Sequence, residues 1–289
     1  VKDVDVSGAS LTLSEALYGP DPTQSYGFTR NKYALDFAGF ATLSRFTLQN
    51  IEFQMLKRGS GVMLARGGGN FHIKDCYFNK VAERAVTSVG SGCQDLHIDR
   101  CHFSSPDSSD PAVDRTSVVF NVNANDAKIR DNRFQRFGLT AVRSGTHHLI
   151  MGNHLFQGDN VSGGALVPGW VFTYEPATSI FNGNYVDNCY LEWTNEHDPT
   201  PDHSNEFSFG GLTITGNIFL TGNTLPSFRF IVIKPYGTGH FISGLHINQN
   251  VFRSINGNID RVEGVDTSFA DLDAWRCRNL TMERNTFHG

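Results

Sequence analysis

The sequence has no long apolar run, no excess of basic residues and few charged residues, and each shortage excludes a class of protein. No stretch of the 289 residues approaches the roughly 18 uninterrupted apolar residues of a membrane-spanning helix. The formal net charge of −5 is unlike the basic surface that nucleic-acid binding usually needs. Hydrophobic residues make up 39% of the chain, which is too many for a disordered protein. We therefore expect a folded protein that binds neither nucleic acid nor a membrane.

The sequence also lacks the features of disulfide-rich, nucleotide-binding and helical proteins. Five cysteines, an odd number, do not describe a disulfide framework. Gly67-Gly68-Gly69 is followed by Asn-Phe and not by the Lys-Ser/Thr of a phosphate-binding loop, so nucleotide chemistry has no support. The helix-forming residues are sparse, whereas the chain holds 29 glycines and 23 phenylalanines. That balance favours strands and tight turns over helices.

One short motif, apolar-x-x-Asn-x-Phe, recurs along most of the chain. The residues at its fourth position are Ile51, Cys76, Cys101, Asn132, Asn153, Asn184, Asn217, Asn250 and Asn285. They lie 21 to 35 residues apart, which is too irregular for an array of helical repeats but suits a β-solenoid whose insertions leave from the turns. We predict an all-β protein, a single-stranded right-handed parallel β-helix with about nine coils, one for each copy of the motif.

The motif also predicts what lies inside the solenoid. Coils stack about 4.8 Å apart, so like positions form continuous inward stacks, one aliphatic, one of phenylalanines and one ladder of asparagines. We expect each ladder asparagine to adopt left-handed backbone angles at the bend and to satisfy turn amides. Cys76 and Cys101 precede the ladder as small buried residues. We expect them to be free thiols, because parallel side chains one coil apart are too distant for a relaxed disulfide.

The outward positions of the motif carry charges that alternate in sign from coil to coil. One row holds Lys74, Asp99 and Arg130, and the next row holds Asp75, Arg100 and Asp131. We expect ion pairs between neighbouring coils, each worth a few tenths of a kcal/mol. A further exposed row holds His72, His97 and His246. A metal site is not expected there, because the sequence shows no carboxylate partner nearby.

The coil motif and the asparagine ladder, over residues 40 to 289, resemble those of the pectate-lyase-like superfamily of right-handed β-helices. This superfamily includes polysaccharide lyases, polygalacturonases and phage tailspikes. The resemblance implies one β-helix domain over residues 1–289, with residues 1–40 as an irregular first coil or N-terminal region. It also implies a monomer or homotrimer that is extracellular, periplasmic or virion-associated. We expect a piece of a longer chain, because no initiator Met is present and the sequence ends directly after a motif.

Two stretches interrupt the repeat where the spacing between motifs lengthens, residues 167–176 and 190–206. The second concentrates acidic residues, histidines and a tryptophan in a chain of modest charge. If the second strands of successive coils are in register, one outer stripe collects charged residues, namely Arg143, Glu175, Glu192 and Arg229 or Lys234. One interpretation is a solvated strand face with a polar loop. The functional interpretation is a groove for a polysaccharide.

Within the functional interpretation, the expected catalytic residues are Glu175, Glu192 and Lys234. The expected substrate-binding residues are Arg143, Tyr174, Trp193, Glu196, His197, Arg229 and Tyr236. In glycoside hydrolysis two carboxylates flank the bond, and Glu175 and Glu192 would do so, with Asp198 or Glu206 as substitutes.

In β-elimination the base that removes the proton beside a uronate carboxylate would be Lys234, Arg229 or His197. Arg143 or a bound Ca²⁺ would neutralise that carboxylate. Glu192, Glu196 and Asp198 offer oxygen donors for Ca²⁺, although their spacing matches no calcium-loop signature. The alternative function is a phage tailspike or tail-fibre domain that binds a surface glycan without cleaving it.

Overall fold

The computed structural model describes the chain in segments separated by gaps. The described residues are 33–36, 44–54, 60–64, 69–79, 84–88, 93–104, 118–135, 139–143, 147–156, 168–173, 178–194, 207–221, 230–234, 240–254 and 277–288. The chain divides into two units, residues 1–31 and residues 32–289, and every described residue belongs to the second. Most of the N-terminal segment 1–40 therefore lies outside the described residues. Among the residues that are described, no helix is long and apolar enough to cross a membrane.

Regular structure in the described segments consists of parallel β-strands. Sheet A contains β1 (Tyr33–Asp36), β4 (Ser60–Leu64), β7 (Val86–Ser88), β11 (Val118–Asn125), β14 (Leu139–Arg143), β17 (Pro168–Thr173), β20 (Tyr190–Thr194) and β24 (Ile231–Lys234). Sheet B contains β2 (Ser44–Gln49), β5 (Gly69–Lys74), β8 (Cys93–Gln94), β9 (His97–Asp99), β12 (Lys128–Arg130), β15 (Leu149–Met151), β18 (Ser179–Asn182), β22 (Leu212–Thr215), β26 (His246–Asn248) and β29 (Thr281–Glu283). Strand β11 pairs in both sheets and joins them into one 18-stranded sheet.

A separate nine-stranded sheet and a small three-stranded sheet complete the described structure. Sheet C contains β3 (Glu52–Gln54), β6 (Tyr77–Asn79), β10 (His102–Ser104), β13 (Arg133–Gln135), β16 (His154–Phe156), β19 (Tyr185–Asp187), β23 (Ile218–Thr221), β27 (Val251–Ser254) and β30 (Thr286–His288). Sheet D contains β21 (Phe207–Phe209), β25 (His240–Ser243) and β28 (Cys277–Arg278).

The order of the strands along the chain is that of a solenoid. From β5 to β26 the chain passes through sheet B, then sheet C, then sheet A, and returns to sheet B, with sheet D strands added in the later repeats. Each strand pairs in parallel with the strand at the same place in the next repeat. The predicted all-β class is confirmed, and these stacked parallel sheets fit a β-helix.

The interior is built from continuous stacks of like side chains. In sheet C, the pairs Phe53–Phe78, Phe78–Phe103 and Phe103–Phe134 stack with ring centroids 4.7, 4.9 and 5.0 Å apart. Leu155 and Val186 then replace phenylalanine in the same register. The core beside them is filled by Trp170, whose ring meets Phe134 edge-on at 6.1 Å. The side-chain volume that sheet C loses at these two positions is thus supplied by Trp170 of sheet A, which keeps the interior close-packed.

A row of buried asparagines connects sheet B to sheet C. It comprises Asn132, Asn153, Asn184, Asn217 and Asn250, and it ends at the partly exposed Asn285. The Nδ2 group of Asn184 donates to Asn217 Oδ1 at 3.1 Å and to the carbonyl of Ile150 at 3.1 Å. Because the five buried members of this row all repeat the pattern, buried polar groups at the bend satisfy one another.

The left-handed residue of each bend lies one position earlier than we predicted. Positive φ angles occur at the third position of the motif, at Asn50, Asp75, Arg100, Asp131, Gly152, Gly183, Gly216, Gln249 and Arg284. None of the row asparagines has a positive φ. The prediction was wrong because the side chain of each asparagine must point inward to meet the next one. The turn is therefore made at the preceding, outward position, where Gly, Asp and Asn are favoured.

Two further predictions are confirmed. Cys76 and Cys101 are free, buried thiols. Each contacts backbone carbonyls, with Cys76 Sγ 3.3 Å from the carbonyl of Lys74 and Cys101 Sγ 3.4 Å from that of Asp99. The alternating charges form ion pairs between neighbouring repeats, since Arg100 binds Asp75 with both Nε and Nη2, at 2.8 and 2.9 Å.

Candidate functional site

Some of the predicted site residues lie in the part of the chain that the structure describes, and others lie outside it. Those outside the described residues are Tyr174, Glu175, Glu196, His197, Asp198, Glu206, Arg229 and Tyr236. Glu192 and Trp193 are described fully, whereas Arg143 and Lys234 are described by backbone position alone. All four lie on neighbouring strands of sheet A.

The register of these strands sets the distances between the predicted charged residues. Glu192 on β20 pairs with Val171 on β17 and with Val232 on β24. Two residues further along β20, Thr194 pairs with residue 234. The backbone of Lys234 is therefore one strand across and two residues along from that of Glu192, which is about 8 Å.

Arg143 is placed in the same register row as Lys234. It pairs with Thr173, which in turn pairs with Thr194, and Thr194 pairs with Lys234. Three strand spacings separate the first and last members of this row, which is about 14 Å. The strands thus bring together three of the charged residues assigned to one outer stripe.

Trp193 lies in the hydrophobic core and not on the face of a groove. Its side chain is 1% exposed and its strand neighbours in register are Phe172 and Ile233, both buried. Successive residues of a strand point to opposite faces, so the residue next to an outward Glu192 must point inward. The predicted role of Trp193 as a platform for a sugar ring does not fit this position.

Glu192 occupies an unusual place for a carboxylate. It belongs to the outward row of β20, between the inward Leu191 and Trp193, yet its side chain is only 8% exposed. Its two row neighbours, Val171 and Val232, are also buried. A carboxylate in so shielded a row can exchange a proton with a substrate that is bound against it.

A second cluster of reactive groups lies on the outer face of sheet B. His72, His97 and Asp99 place ligating atoms within 4.8 Å of one another. His72 Nε2 lies 2.8 Å from Asp99 Oδ2, so the expectation that no carboxylate accompanies this histidine row was wrong. Strand position places Asp99 in the row of Lys74, but its side chain reaches back to His72 in the preceding repeat. His246 is not part of the cluster and instead contacts Thr281 Oγ1 at 2.7 Å.

The partners of this cluster favour a charge network over a metal centre. Arg130 donates from Nε and Nη2 to the two oxygens of Asp99, at 2.9 and 3.0 Å. Lys128 Nζ lies 3.5 Å from His97 Nε2. Burial acts to raise the pKa of Asp99, but the hydrogen bonds from Arg130 and His72 outweigh it, so the pKa lies below its usual range. His97 and Asp99 thus each have a cationic side chain of this protein as a partner.

Comparisons with known proteins identify no family. No family model matches the chain, and no curated protein matches it. Among solved structures, the crystal structure of DFA-IIIase from Arthrobacter chlorophenolicus A6 in complex with DFA-III is similar, with 12% sequence identity and a TM-score of 0.47. The similarity covers 89% of this chain and 68% of that chain.

Proposed function

We propose that this protein binds an extracellular or cell-surface polysaccharide on the outer face of sheet A and cleaves it, with Glu192 as the acid/base group. We also propose that the fold is a right-handed β-helix like those of the pectate-lyase-like superfamily. The observation that carries the proposed function is the burial of Glu192 in a row where both neighbours are valines.

A glutamate is an uncommon residue at a position so shielded from solvent. Moving a carboxylate out of water is costly, and the outward row already has valines on both sides of it. Residues that a fold would not choose for stability are expected at functional sites.

The neighbouring register positions supply the remaining chemistry. Lys234 lies one strand away from Glu192, and Arg143 lies two strands away on the other side. Cations at these positions suit a substrate with acidic groups. In hydrolysis Glu192 would protonate the leaving oxygen while water attacks the anomeric carbon. In β-elimination Lys234 would remove the proton beside the uronate carboxylate, Arg143 would face that carboxylate, and Glu192 would protonate the leaving oxygen as the C–O bond breaks.

The test compares wild type with Glu192→Gln on a panel of uronate and neutral polysaccharides. Unsaturated products are followed by ultraviolet absorbance and new chain ends by reducing-sugar release. We expect turnover to fall at least about a hundredfold in Glu192→Gln, because a proton-transfer group is removed while the shape is kept. Glu283→Gln, which changes an exposed glutamate on β29, is the matched control and should keep full activity.

The outcomes separate the alternatives. Absorbing products indicate a lyase, and reducing ends without absorbance indicate a hydrolase. Full activity of Glu192→Gln would remove Glu192 from the mechanism. A wild type that binds a polysaccharide of the panel and releases no product in either assay would refute cleavage and leave a glycan-binding spike.

A further inference from the structure

The outer face of sheet C carries a row of aromatic and basic side chains that no part of the proposed mechanism uses. In register, Tyr77 pairs with His102, His102 with Arg133, Arg133 with His154, and His154 with Tyr185. We call these five residues the sheet C stripe. Each precedes a core residue by one position, so all five side chains are on the outer face of the sheet.

The two ends of the stripe are exposed tyrosines supported by histidines. Tyr77 is 38% exposed and Tyr185 is 40% exposed. The ring of Tyr77 meets that of His102 edge-on at 4.4 Å, and the ring of Tyr185 meets that of His154 edge-on at 5.4 Å. Each tyrosine is therefore held by a neighbouring ring while more than a third of its surface faces solvent.

The centre of the stripe is an exposed cation. Within the described residues the Arg133 side chain has no ion pair, and the Nε2 atoms of His102 and His154 on either side have no hydrogen-bond partner. Burial, together with the nearby charge of Arg133, lowers the pKa of both imidazoles, and a hydrogen bond with Gln135 partly opposes this at His102. Both rings are thus uncharged at neutral pH, and Arg133 is the one cation among the five side chains.

Sheet B shows how this chain arranges such residues when their role is structural. On sheet B and in the bends beside its strands, histidines and arginines are paired with aspartates, as His72–Asp99, His97–Asp95, Arg100–Asp75 and Arg130–Asp99. The sheet C stripe has the same residue types at the same strand spacing but without the aspartates. An exposed arginine without an acidic partner, between two tyrosines, is suited to an external anion.

The spacing of the stripe requires an elongated ligand. Strands in a sheet lie about 4.8 Å apart, so Arg133 is about 10 Å from each tyrosine and the two tyrosines are about 19 Å apart along the stack. This length exceeds one sugar ring and fits a short run of them. Tyrosine faces take the apolar faces of sugars, and the guanidinium takes a carboxylate or sulfate with two hydrogen bonds.

We propose that the sheet C stripe is a second glycan-binding site, which takes an acidic oligosaccharide segment lying along the stack of strands. Arg133 pairs with a carboxylate or sulfate, and Tyr77 and Tyr185 pack against sugar rings on either side. The inference shares only its ligand class with the proposed function, because sheet C is a different sheet from the one that carries Glu192.

The test is affinity electrophoresis at 4 °C through gels that contain polygalacturonate, alginate or chondroitin sulfate, with dextran as the neutral polymer. Wild type should be retarded by at least one acidic polymer and not by dextran. Arg133→Gln should weaken that binding at least about tenfold, because a charge-assisted pair is lost. The double variant Tyr77→Ala, Tyr185→Ala should weaken it by about the same factor.

Arg253→Gln is the matched control, since it removes an exposed arginine from β27 of the same sheet. It should bind as wild type does. Retardation of Arg133→Gln equal to that of wild type, dextran binding as strong as acidic binding, or no binding of any acidic polymer would each overturn the proposal.

Failure of this site and failure of the proposed function give different results. Glu192→Gln should lose turnover and keep its retardation by the acidic polymer. Arg133→Gln should lose retardation and keep turnover of short oligosaccharides that cannot reach from one site to the other. If wild type cleaves nothing, the binding measurement still decides whether the stripe is a site.

Discussion

Replacing Asn217 by alanine should destabilise the fold far more than the same replacement of Asn285. Asn217 is fully buried in the middle of the asparagine row. Its Nδ2 group donates to the carbonyl of Phe181 at 2.9 Å and to Asn250 Oδ1 at 2.9 Å. Its Oδ1 atom accepts from the backbone and side-chain nitrogens of Asn184, at 2.8 and 3.1 Å. Alanine removes all four hydrogen bonds at once.

The magnitude follows from which groups lose their partners. The buried backbone N–H of Asn184 loses its acceptor, which costs about 1–3 kcal/mol. The Asn184 side chain loses its bond to Asn217 but keeps the one to the Ile150 carbonyl, and the carbonyl of Phe181 loses one donor. These two losses cost about 0.5–1.5 kcal/mol each. The expected decrease in the free energy of unfolding is therefore about 2–6 kcal/mol.

Asn285 is the internal control, because it makes three of these four bonds at the partly exposed end of the row. Its Oδ1 accepts from both nitrogens of Asn250, and its Nδ2 donates to the carbonyl of Ile247 at 2.7 Å. Water can replace those bonds, so Asn285→Ala should cost about 1 kcal/mol. Urea unfolding followed by circular dichroism measures both variants. Equal losses, or a loss below about 1 kcal/mol for Asn217→Ala, would refute the idea that the row stabilises the bend by mutual hydrogen bonding.

Two further predictions concern the core and the charge network of sheet B. Phe219→Ala should lower the free energy of unfolding by about 3–5 kcal/mol, because the buried ring stacks on Phe252 at 4.8 Å, whereas Phe287→Ala, at a ring that is 41% exposed, should cost about 1 kcal/mol in the same urea assay. Asp99 has a lowered pKa in the fold, so its contribution is complete above about pH 4 and is lost as the pH falls through the folded pKa. Melting temperatures between pH 7 and pH 3 should therefore fall less steeply for Asp99→Asn than for wild type, and parallel curves would contradict this reasoning.

The core of the molecule could be predicted from sequence because a solenoid places like positions on top of one another. A single motif, read in Phe53, Phe78 and Phe103, identifies a stack in which these three rings are buried. The pairing of Arg100 with Asp75 follows from the same rule, since adjacent repeats are neighbours in space. The period of the motif therefore predicts which residues form the inward stacks and which residues of adjacent repeats form ion pairs.

What the motif could not reveal is the direction of individual side chains and the register across insertions. Asp99 belongs by position to the row of Lys74 and Arg130, yet its carboxylate also reaches His72 in the preceding repeat. The acidic residues beside Trp193 in sequence predict a place in a groove, but Trp193 lies one residue along the strand from Glu192 and therefore points into the core. Neither outcome can be read from composition, because both depend on packing between repeats.

In a solenoid a row of side chains is stable when each residue contacts a residue of matching chemistry on the adjacent strand. Phenylalanine meets phenylalanine, asparagine meets asparagine, and arginine meets aspartate. A residue whose row neighbours do not suit it is therefore more informative than a charged residue as such. Glu192 lies between two valines, and Arg133 lies between two uncharged histidines, on different sheets. The two proposals assign an external ligand to each of these residues, and Glu192→Gln and Arg133→Gln test the two assignments independently.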